Sequence, residues 1–390
     1  MKILVLGGSG IQGRTAVLDL ARSNAVQEVM CADLDFKGIR AIAQFLDMAK
    51  VREVPLDVTQ GDALDRLFHE ADAVVDLLPR QFMEPVCQAA IRTGVGVVNT
   101  NYAYPIAHLH QSAMAAGVAI LPECGLDPGI DLVLYGEAAR RFDELHRINS
   151  YCGGIPERSA CDNPLNYKVS WVFEGVLAST KRDSRMIRDG ELLEIPGDRQ
   201  HDSAYVHQVE FPGLGALEAI PNGDAVFFTD ALGVTETIRE TGRYSLRWPG
   251  WSDFWRPLKQ LGFLSETPVA GLKGPVSPYE LVDKLVGPQI QYQCHEKDLV
   301  VMLNRFEGRR DGREVRLTSR LLVERDLETG LLAMAQSVGY PASIAAQMIA
   351  SGIIPDTGVL SPMRHIPYGP FIDALRVRGI VIQEEEQTLS

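Results

Sequence analysis

The segment KILVLGGSGIQGRTAVLDLA at residues 2–21 decides the fold of this 390-residue chain. An apolar run leads into the pattern Gly-x-Gly-x-x-Gly at residues 8–13, and apolar residues at helical spacing follow it. A strand, a glycine-rich turn and a helix in this order are typical of a dinucleotide-binding unit. The glycines permit a tight turn and the close approach of a pyrophosphate, and the helix N-terminus offers N–H groups to it.

The glycine segment and the acid that follows it predict an NAD site. Asp33 lies 20 residues after Gly13, at the end of the second predicted strand, where a carboxylate binds the adenosine ribose and repels a 2′-phosphate. We therefore predict NAD rather than NADP. Asp57 follows the third predicted strand and either approaches the adenine or caps a helix. The residues predicted to bind the cofactor are Gly8, Ser9, Gly10, Ile11, Gln12, Gly13, Asp33, Asp57, Leu78, Pro79 and Asn101.

The first 130 residues alternate between strand and helix patterns. Predicted strands lie at 2–6, 26–32, 51–58, 73–78, 96–99 and 118–122. Predicted helices lie at 12–23, 38–48, 63–70, 83–93 and 106–116. This alternation indicates an α/β fold with a Rossmann-type, doubly wound parallel sheet that has helices on both faces.

From about residue 147 the strand patterns come without regular helices between them. Such runs lie at 147–152, 167–172, 204–211 and 243–248, and segments 298–307 and 314–324 flank an Asp-Gly turn typical of a hairpin. Predicted helices lie at 252–262, 278–285, 329–350 and 371–378, with a possible edge strand at 380–383 and a solvated acidic tail at 384–386. We predict a second α+β domain with a mixed or antiparallel sheet over 131–330, and a first domain of 1–130 completed by 331–390.

Composition and charge exclude several classes of protein. The net charge of −13, from 51 acids and 38 bases, argues against a nucleic-acid partner. No uncharged apolar segment is long enough to span a membrane. The six cysteines form no Cys-x-x-Cys pair, so no zinc site or other metal site is expected. A secretory signal is not recognisable at the N-terminus, and we expect a cytoplasmic protein.

Polar residues follow the predicted strands where a substrate would bind, beyond the carboxyl ends of a parallel sheet. Glu123 is a candidate acid or base, with a structural salt bridge as the alternative. Asp127 can cap a helix that starts at Pro128, and such a helix N-terminus would favour a substrate carboxylate. Cys124 and Cys152 lack basic neighbours in the sequence, which favours packing over reactivity.

Four segments resemble a known family. They are GLDPGID at 125–131, SYCGGIPERSACDNPLNYKVSWVFEGVL at 150–177, YSLRWPGW at 244–251 and AQMIASGIIPDTGVLSPM at 346–363. The first two resemble the saccharopine dehydrogenases of the L-glutamate-forming type. The other two are similar both to these enzymes and to the shorter lysine 6-dehydrogenases.

The resemblance implies a reaction and a set of site residues. Hydride leaves the ε-carbon of a lysine-derived amino acid for nicotinamide, and the resulting iminium is hydrolysed to a semialdehyde. It also implies a homodimer formed largely through the second domain. Lys168 would bind a carboxylate, or transfer a proton if burial lowered its pKa, with an exposed strand lysine as the alternative. The predicted catalytic residues are Tyr102, Glu123, Asp127, Cys152 and Lys168, and the predicted substrate-binding residues are Gly153, Gly154, Asn163 and Arg247.

The substrate is divided between two branches of the family. Asp33 stands where the glutamate-forming enzymes have basic residues, Gly223 stands where an arginine is expected, and the chain is short. The CDNPL segment at 161–165, in contrast, is similar to the saccharopine branch. We predict saccharopine or a close N-carboxyalkyl amino acid as the substrate. The alternatives are a lysine 6-dehydrogenase that releases ammonia and a non-catalytic regulatory protein that binds NAD(H).

Overall fold

The computed structural model describes residues 1–272 and 274–389. Contacts divide the chain into one unit of Met1–Glu137 with Ala335–Val381 and another of Ala138–Met334 with Ile382–Ser390. Within the described ranges, every helix is too short or too polar to cross a lipid bilayer.

The strands and helices are numbered in chain order. The strands are β1 (Lys2–Leu6), β2 (Glu28–Asp33), β3 (Val51–Pro55), β4 (Ala73–Asp76), β5 (Gly96–Asn99), β6 (Ala119–Leu121), β7 (Glu144–Pro156), β8 (Ser184–Arg188), β9 (Glu191–Ile195), β10 (His207–Phe211), β11 (Gly215–Pro221), β12 (Glu240–Arg247), β13 (Asp298–Arg310), β14 (Arg313–Glu324), β15 (Gly358–Val359) and β16 (Gln383–Thr388). The α-helices are α1 (Ile11–Arg22), α2 (Lys37–Arg40), α3 (Gly61–His69), α4 (Met83–Thr93), α5 (His110–Ala115), α6 (Ile130–Arg141), α7 (Phe173–Ser179), α8 (Ala225–Leu232), α9 (Trp251–Gln260), α10 (Pro278–Val286), α11 (Ala333–Ala350), α12 (Pro362–His365) and α13 (Tyr368–Val377).

The first unit contains a seven-stranded sheet in the order β15-β6-β5-β4-β1-β2-β3, and its strands pair in parallel. This confirms the predicted doubly wound sheet. The strands are almost fully buried from β1 to β6, with β3 more exposed at the edge, as expected for a sheet covered by helices on both faces. The carboxyl ends of β1, β4, β5 and β6 therefore meet at one edge of the sheet.

Two predicted helices of the first unit are shorter than expected. The helix predicted at 38–48 is reduced to α2 and a 3₁₀ turn at Ala43–Phe45. Asp47 explains its end, because its side chain accepts a hydrogen bond from the Ala49 N–H and so competes with the helical ladder. The helix predicted at 106–116 is a 3₁₀ helix at Tyr104–Leu109 followed by α5.

The second unit contains a nine-stranded mixed sheet, which confirms the predicted second domain class. Its main path is β10-β11-β12-β7-β13-β14-β16, with β8 and β9 branching from β12. Only the β12–β7 pair is parallel among the pairs of this sheet in the described residues. Asp311 and Gly312 have positive φ angles of 50° and 73°, so the β13–β14 hairpin has the tight turn that the Asp-Gly pair predicts.

Three features of the second unit differ from the sequence prediction. Residues 167–172 form an isolated bridge from Val169 to Gln291 rather than a strand, and the side chains of 167–170 are all buried. The β8–β9 hairpin was missed, although Asp189 and Gly190 carry the same turn signal. The helices α7 and α8 and strand β11 were also missed.

The acidic run at 384–386 is not a solvated tail. It lies in β16, which pairs in an antiparallel manner with β14. Each of its three carboxylates has an arginine partner: Glu384 pairs with Arg141, Glu385 with Arg320 and Glu386 with Arg310. The segment is ordered as an edge strand of the sheet, and the arginines opposite it balance the charge of the run.

Candidate functional site

The glycine segment has a geometry suited to a pyrophosphate. A Cβ atom on Gly13 would lie 2.0 Å from the Gly7 carbonyl oxygen, so only glycine permits α1 to start this close to the turn. The first bond of the helix runs from the Arg14 N–H to the Gly10 carbonyl at 3.0 Å. The preceding N–H groups, from Ile11 to Gly13, therefore precede the helical ladder and are available to an anion. The site fits a dinucleotide phosphate.

Asp33 holds the glycine segment. Its Oδ2 accepts a hydrogen bond from the Ser9 N–H at 2.9 Å, and its Oδ1 accepts one from the Leu34 N–H at 2.7 Å. The Ser9 hydroxyl in turn accepts hydrogen bonds from the N–H groups of Gly38 and Ile39. The Asp33 carboxylate thus holds the glycine turn at the end of β2, and the Ser9 hydroxyl connects the turn to α2.

Asp57 forms a local turn and does not cap a helix. Its Oδ1 accepts hydrogen bonds from the Thr59 N–H at 3.0 Å and the Thr59 hydroxyl at 2.7 Å. These bonds lower its pKa. The helix α3 begins later, after Gln60, so the alternative role of Asp57 as its N-cap is wrong.

The loops after β4 and β5 contain the other predicted cofactor residues. The Leu77 carbonyl lies 3.0 Å from the position that a Cβ on Gly7 would take, so the Leu77–Pro79 segment packs directly against the glycine turn. The Leu78 N–H donates to Asp76 Oδ1 at 3.1 Å, and the Asn101 N–H donates to Asn99 Oδ1 at 3.0 Å. Both loops are therefore fixed by the side chain that ends the preceding strand.

Tyr102 and Glu123 lie close together in the first unit. The Glu123 carboxylate is 2% exposed, and its Oε1 accepts a hydrogen bond from the Ala103 N–H at 3.1 Å. The Glu123 N–H donates to the Asn101 carbonyl at 2.9 Å, on the other side of Tyr102. The Tyr102 ring is half-buried and stacks on Tyr104, with 6.1 Å between the ring centroids.

Asp127 does not start a helix, contrary to prediction. The peptide bond between Asp127 and Pro128 is cis, and α6 begins only at Ile130. The acid that contacts the start of the helix is Asp131, whose Oδ1 accepts a hydrogen bond from the Gly129 N–H at 2.8 Å.

Asp131 is a buried acid and a candidate site residue that the sequence analysis did not single out. It is completely buried, and this burial, together with the nearby Glu123 charge, raises its pKa to about 8. An acid inside the apolar run IDLVL at 130–134 was the available signal. Glu123 and Asp131 therefore form a pair of buried acids in the first unit, and pairs of this kind are common in sites that move protons.

Cys152, Gly153 and Gly154 lie in β7, at the centre of the second sheet. Cys152 is 7% exposed and lies between Ser245 of β12 and Met302 of β13. A Cβ on Gly153 would lie 2.2 Å from the Leu246 carbonyl oxygen. The close approach of β12 thus gives Gly153 a packing role in the second unit.

Lys168 is held by two carboxylates. Its side chain is 2% exposed, and its ammonium group donates to Glu296 Oε1 at 2.6 Å and to Asp162 Oδ2 at 2.9 Å. Burial lowers the pKa of Lys168, but these bonds outweigh it and the pKa is raised. This is the reverse of the shift expected for proton transfer.

Asn163 and Arg247 both lie next to Tyr167. Asn163 donates to the Tyr167 carbonyl at 2.9 Å and accepts from the Leu165 N–H at 3.1 Å. The Arg247 guanidinium lies 5.2 Å from the centroid of the Tyr167 ring and 5.1 Å from that of Trp251. The structure thus brings Asn163, Lys168 and Arg247 into one region of the second unit.

A protein metal site needs a cluster of three or more His, Cys, Asp or Glu side chains. The part of the chain that the structure describes contains no such cluster. All six cysteines are free thiols.

Comparison with known proteins gives matches over nearly the whole chain. Residues 3–121 match the family model for the saccharopine dehydrogenase NADP binding domain, and residues 125–380 match that for the saccharopine dehydrogenase C-terminal domain. The chain is 28% identical to the NADP(+), L-glutamate-forming saccharopine dehydrogenase of Schizosaccharomyces pombe, with 99% of each chain covered. It is 27% identical to the mitochondrial alpha-aminoadipic semialdehyde synthase of Mus musculus, with 98% of this chain and 48% of that protein covered.

A solved structure agrees with these matches. Apo histidine-tagged saccharopine dehydrogenase (L-Glu forming) from Saccharomyces cerevisiae superposes with a TM-score of 0.85 at 26% identity, with 99% of each chain covered.

The prediction of NAD is wrong. The family model for residues 3–121 describes an NADP binding domain, and the fungal relatives carry NADP(+) in their names. The bonds of Asp33 give the physical reason for the error. Because both carboxylate oxygens accept hydrogen bonds from the backbone of the chain itself, the acid serves the glycine turn, and its presence does not predict a ribose contact. Basic residues also follow β2, at Lys37 and Arg40.

Proposed function

The chain belongs to the saccharopine dehydrogenase family, whose members are oxidoreductases that act on a CH–NH donor, and from this premise we propose that it is an NADP-dependent, L-glutamate-forming saccharopine dehydrogenase. The observation that carries the proposal is the match to the saccharopine dehydrogenase (L-Glu forming) of Saccharomyces cerevisiae, with 99% of each chain covered at a TM-score of 0.85. The substrate would be a secondary amine that joins the ε-carbon of lysine to glutamate.

The first unit supplies the cofactor site in this proposal. Bound NADP would accept the hydride from the substrate. The N–H groups at the start of α1 would hold the pyrophosphate, and the glycine at position 13 keeps that helix start accessible. Lys37, whose side chain is 91% exposed, is our candidate for contact with the 2′-phosphate. Arg40 is less available because it pairs with Glu53.

Acid–base chemistry is assigned to the buried acids of the first unit. The amine of the substrate must lose its proton before its C–N bond can be oxidised. We propose that Glu123 accepts this proton and that Tyr102, held between two bonds to Glu123, orients the amine. Asp131 would remain protonated near neutral pH because burial raises its pKa to about 8. Asp127 is proposed to bind the substrate amine electrostatically.

Substrate recognition is proposed for the second unit. Arg247 would bind a substrate carboxylate through a guanidinium that Tyr167 and Trp251 hold in place. Lys168 fixes the loop that carries Asn163, and its raised pKa favours this role over that of a base. Cys152, Gly153 and Gly154 would form a wall of the substrate site. Homodimerisation through this unit is a further proposal that sedimentation would test.

The shortness of the chain does not favour the lysine 6-dehydrogenase alternative. The alignment with the fungal enzyme extends over 456 residues and covers 99% of both proteins, so the difference in length lies in internal gaps. The alignment therefore includes both halves of the fungal enzyme.

The test is an assay of turnover with L-saccharopine and NADP(+) at alkaline pH. Formation of NADPH is monitored by absorbance in the nicotinamide band, and glutamate is detected as the second product. NADPH and glutamate in equal amounts, with no turnover of L-lysine, is the expected result. Ammonia release from lysine would instead indicate a lysine 6-dehydrogenase. Binding of NADPH without turnover of either compound would indicate a regulatory protein.

A further inference from the structure

A cavity of about 320 Å³ lies on one face of the second sheet. Glu210 of β10 and Gln387 of β16 both line it, although these strands are the two ends of the main strand path. In a flat sheet the two strands would be about 29 Å apart, since neighbouring strands are spaced by about 4.8 Å. The sheet therefore curls around the cavity, whose volume is that of a small-molecule site.

The cavity lies on the opposite face of the sheet from Cys152. Leu303 lines the cavity and pairs in register with Tyr151. The Cζ atom of Arg305, another cavity residue, lies 5.8 Å from the centroid of the Tyr151 ring, so Tyr151 is on the cavity side. Because successive side chains of a strand point to opposite faces, Cys152 points away from the cavity. The cavity is thus separate from the substrate site proposed at Cys152.

Most charged side chains of the cavity are paired with one another. Glu307 accepts hydrogen bonds from Arg316 Nε at 2.6 Å and from Arg147 Nη1 at 3.3 Å. Glu385 accepts a hydrogen bond from Arg320 Nη1 at 3.2 Å. All five residues line the cavity. Because each of these charges already has a partner in the protein, none of them needs a ligand.

Arg305 and Glu210 are the other two charged residues of the cavity. Arg305 is partly exposed and Glu210 is exposed, and neither forms an ion pair within the part of the chain that the structure describes. Thr318 is in register with Arg305 on β14 and lines the same cavity, so it offers a hydroxyl group there. A free cation and a free anion in one cavity match a ligand that has both a carboxylate and an ammonium group.

We propose that this cavity binds a free α-amino acid with an aliphatic side chain. The carboxylate of the ligand pairs with the Arg305 guanidinium, and its ammonium group pairs with the Glu210 carboxylate. Because the remaining charges of the cavity are already paired, a charged side chain of the ligand would be desolvated without gaining a partner. Leu303 and Pro212, which also line the cavity, provide apolar surface for an aliphatic side chain instead.

A titration of the wild-type protein with three related compounds tests the proposal by saturation-transfer NMR. The compounds are L-leucine, isocaproate, which lacks the ammonium group, and isoamylamine, which lacks the carboxylate. L-Leucine should bind at least about tenfold more tightly than either of the others, because only it forms both charge-assisted pairs. Equal binding of all three compounds, or no binding of L-leucine at about 10 mM, would overturn the proposal. This comparison does not depend on the folding of a variant.

Two single variants then locate the ligand. Arg305→Gln and Glu210→Gln each remove one of the two charges and should each weaken L-leucine binding about tenfold. Arg313→Gln, which changes an exposed arginine of β14 outside the cavity, is the matched control and should bind as wild type does. Loss of binding in Arg247→Gln, with binding kept in Arg305→Gln, would place the amino acid at the proposed substrate site and contradict the proposal. Since no turnover is measured, the result is independent of the assay with saccharopine.

Discussion

Asp33 stabilises the glycine turn through the Ser9 N–H, so its removal is expected to weaken both dinucleotides. Asp33→Ala should raise the dissociation constants of NADPH and NADH alike, by about three- to tenfold for one charge-assisted hydrogen bond. Fluorescence titration with each cofactor provides the measurement. Asp47→Ala is the control, since Asp47 is exposed and its side chain accepts a hydrogen bond from the Ala49 N–H in its own loop. A variant that gains NADPH affinity while losing NADH affinity would assign Asp33 to the ribose after all.

Asp131 is expected to make the stability of the protein depend on pH. Its pKa is raised to about 8 in the folded state from an ordinary 3.8, so its neutral form is favoured by folding. The protonated carboxyl of Asp131 contributes fully to the free energy of unfolding below about pH 4. This contribution is lost as the pH rises towards 8, at no more than about 1.4 kcal/mol per pH unit. Asp131→Asn should therefore lose less stability than wild type between pH 5 and pH 9.

Urea unfolding at pH 5, 7 and 9 checks this expectation, with the exposed Asp62→Asn as control. Equal slopes in wild type and Asp131→Asn would show that Asp131 is ionised in the folded protein throughout this range.

Substitution of Lys168 is expected to lower the free energy of unfolding rather than to remove a catalytic base. Lys168→Met leaves the Glu296 carboxylate buried without its cation, which typically costs about 3–5 kcal/mol. Lys168→Met/Glu296→Gln should recover part of this loss because no charge is left uncompensated. Urea unfolding measures both. A Lys168→Met protein of wild-type stability and strongly reduced kcat would instead identify the lysine as a base.

For individual residues, the sequence could predict positions in the fold but not side-chain contacts. Spacing alone could place Gly13 and Asp33 at the correct strand and helix ends. It could not show that the carboxylate of Asp33 is used by the Ser9 N–H, because that bond depends on the curvature of the turn. The pair Lys168–Glu296 joins residues that are distant in sequence, and no periodicity in the sequence indicates such a pair.

At the scale of elements, β16 is expected to stabilise the second sheet. Deletion of residues 383–390 removes a six-residue strand and exposes the edge of β14. We expect the melting temperature to fall by roughly 3–8 °C and aggregation to increase, since a free strand edge can pair with another chain.

A charge control separates strand pairing from ion pairing. Glu384, Glu385 and Glu386 all changed to glutamine keep the strand but remove its ion pairs with arginine. Because exposed ion pairs contribute little, this variant should melt within about 2 °C of wild type. Equal destabilisation by both changes would show that charge, rather than the backbone ladder, holds β16.

Element prediction succeeded where the pattern was local. The hairpin with Asp311-Gly312 and the helix α4 were predicted from turn residues and periodicity. The prediction of a strand at 167–172 was wrong: residues 167–170 are all buried, so the sequence there does not have the alternation of a half-buried strand. The prediction of a solvated tail at 384–386 was wrong because the strand and the arginines that the run contacts lie far away in the sequence.

At the scale of the whole molecule, the parallel sheet could be predicted from the alternation of strands and helices. Its seventh strand could not. Strand β15 has two residues, Gly358 and Val359, and adds to β6 from the far end of the chain. A strand of two residues is too short to show a periodicity. Its position beside β6 depends on the hydrogen bond from the Gly358 N–H to the Val118 carbonyl at 2.8 Å.

Cofactor binding should protect the first unit locally. Saturating NADPH, at about 100 times its dissociation constant, stabilises the folded state by about 2.7 kcal/mol. The glycine turn at 7–14 and the loop at 76–79 pack on each other, so both should gain protection against hydrogen exchange. The hairpin of β8 and β9 belongs to the second unit and should not change. Mass spectrometry of exchange with and without NADPH makes this comparison, and Asp76→Asn should reduce the gain at both segments together. Loss at 76–79 alone would show that the glycine turn holds its conformation without the neighbouring loop, since the two would then respond to the cofactor independently.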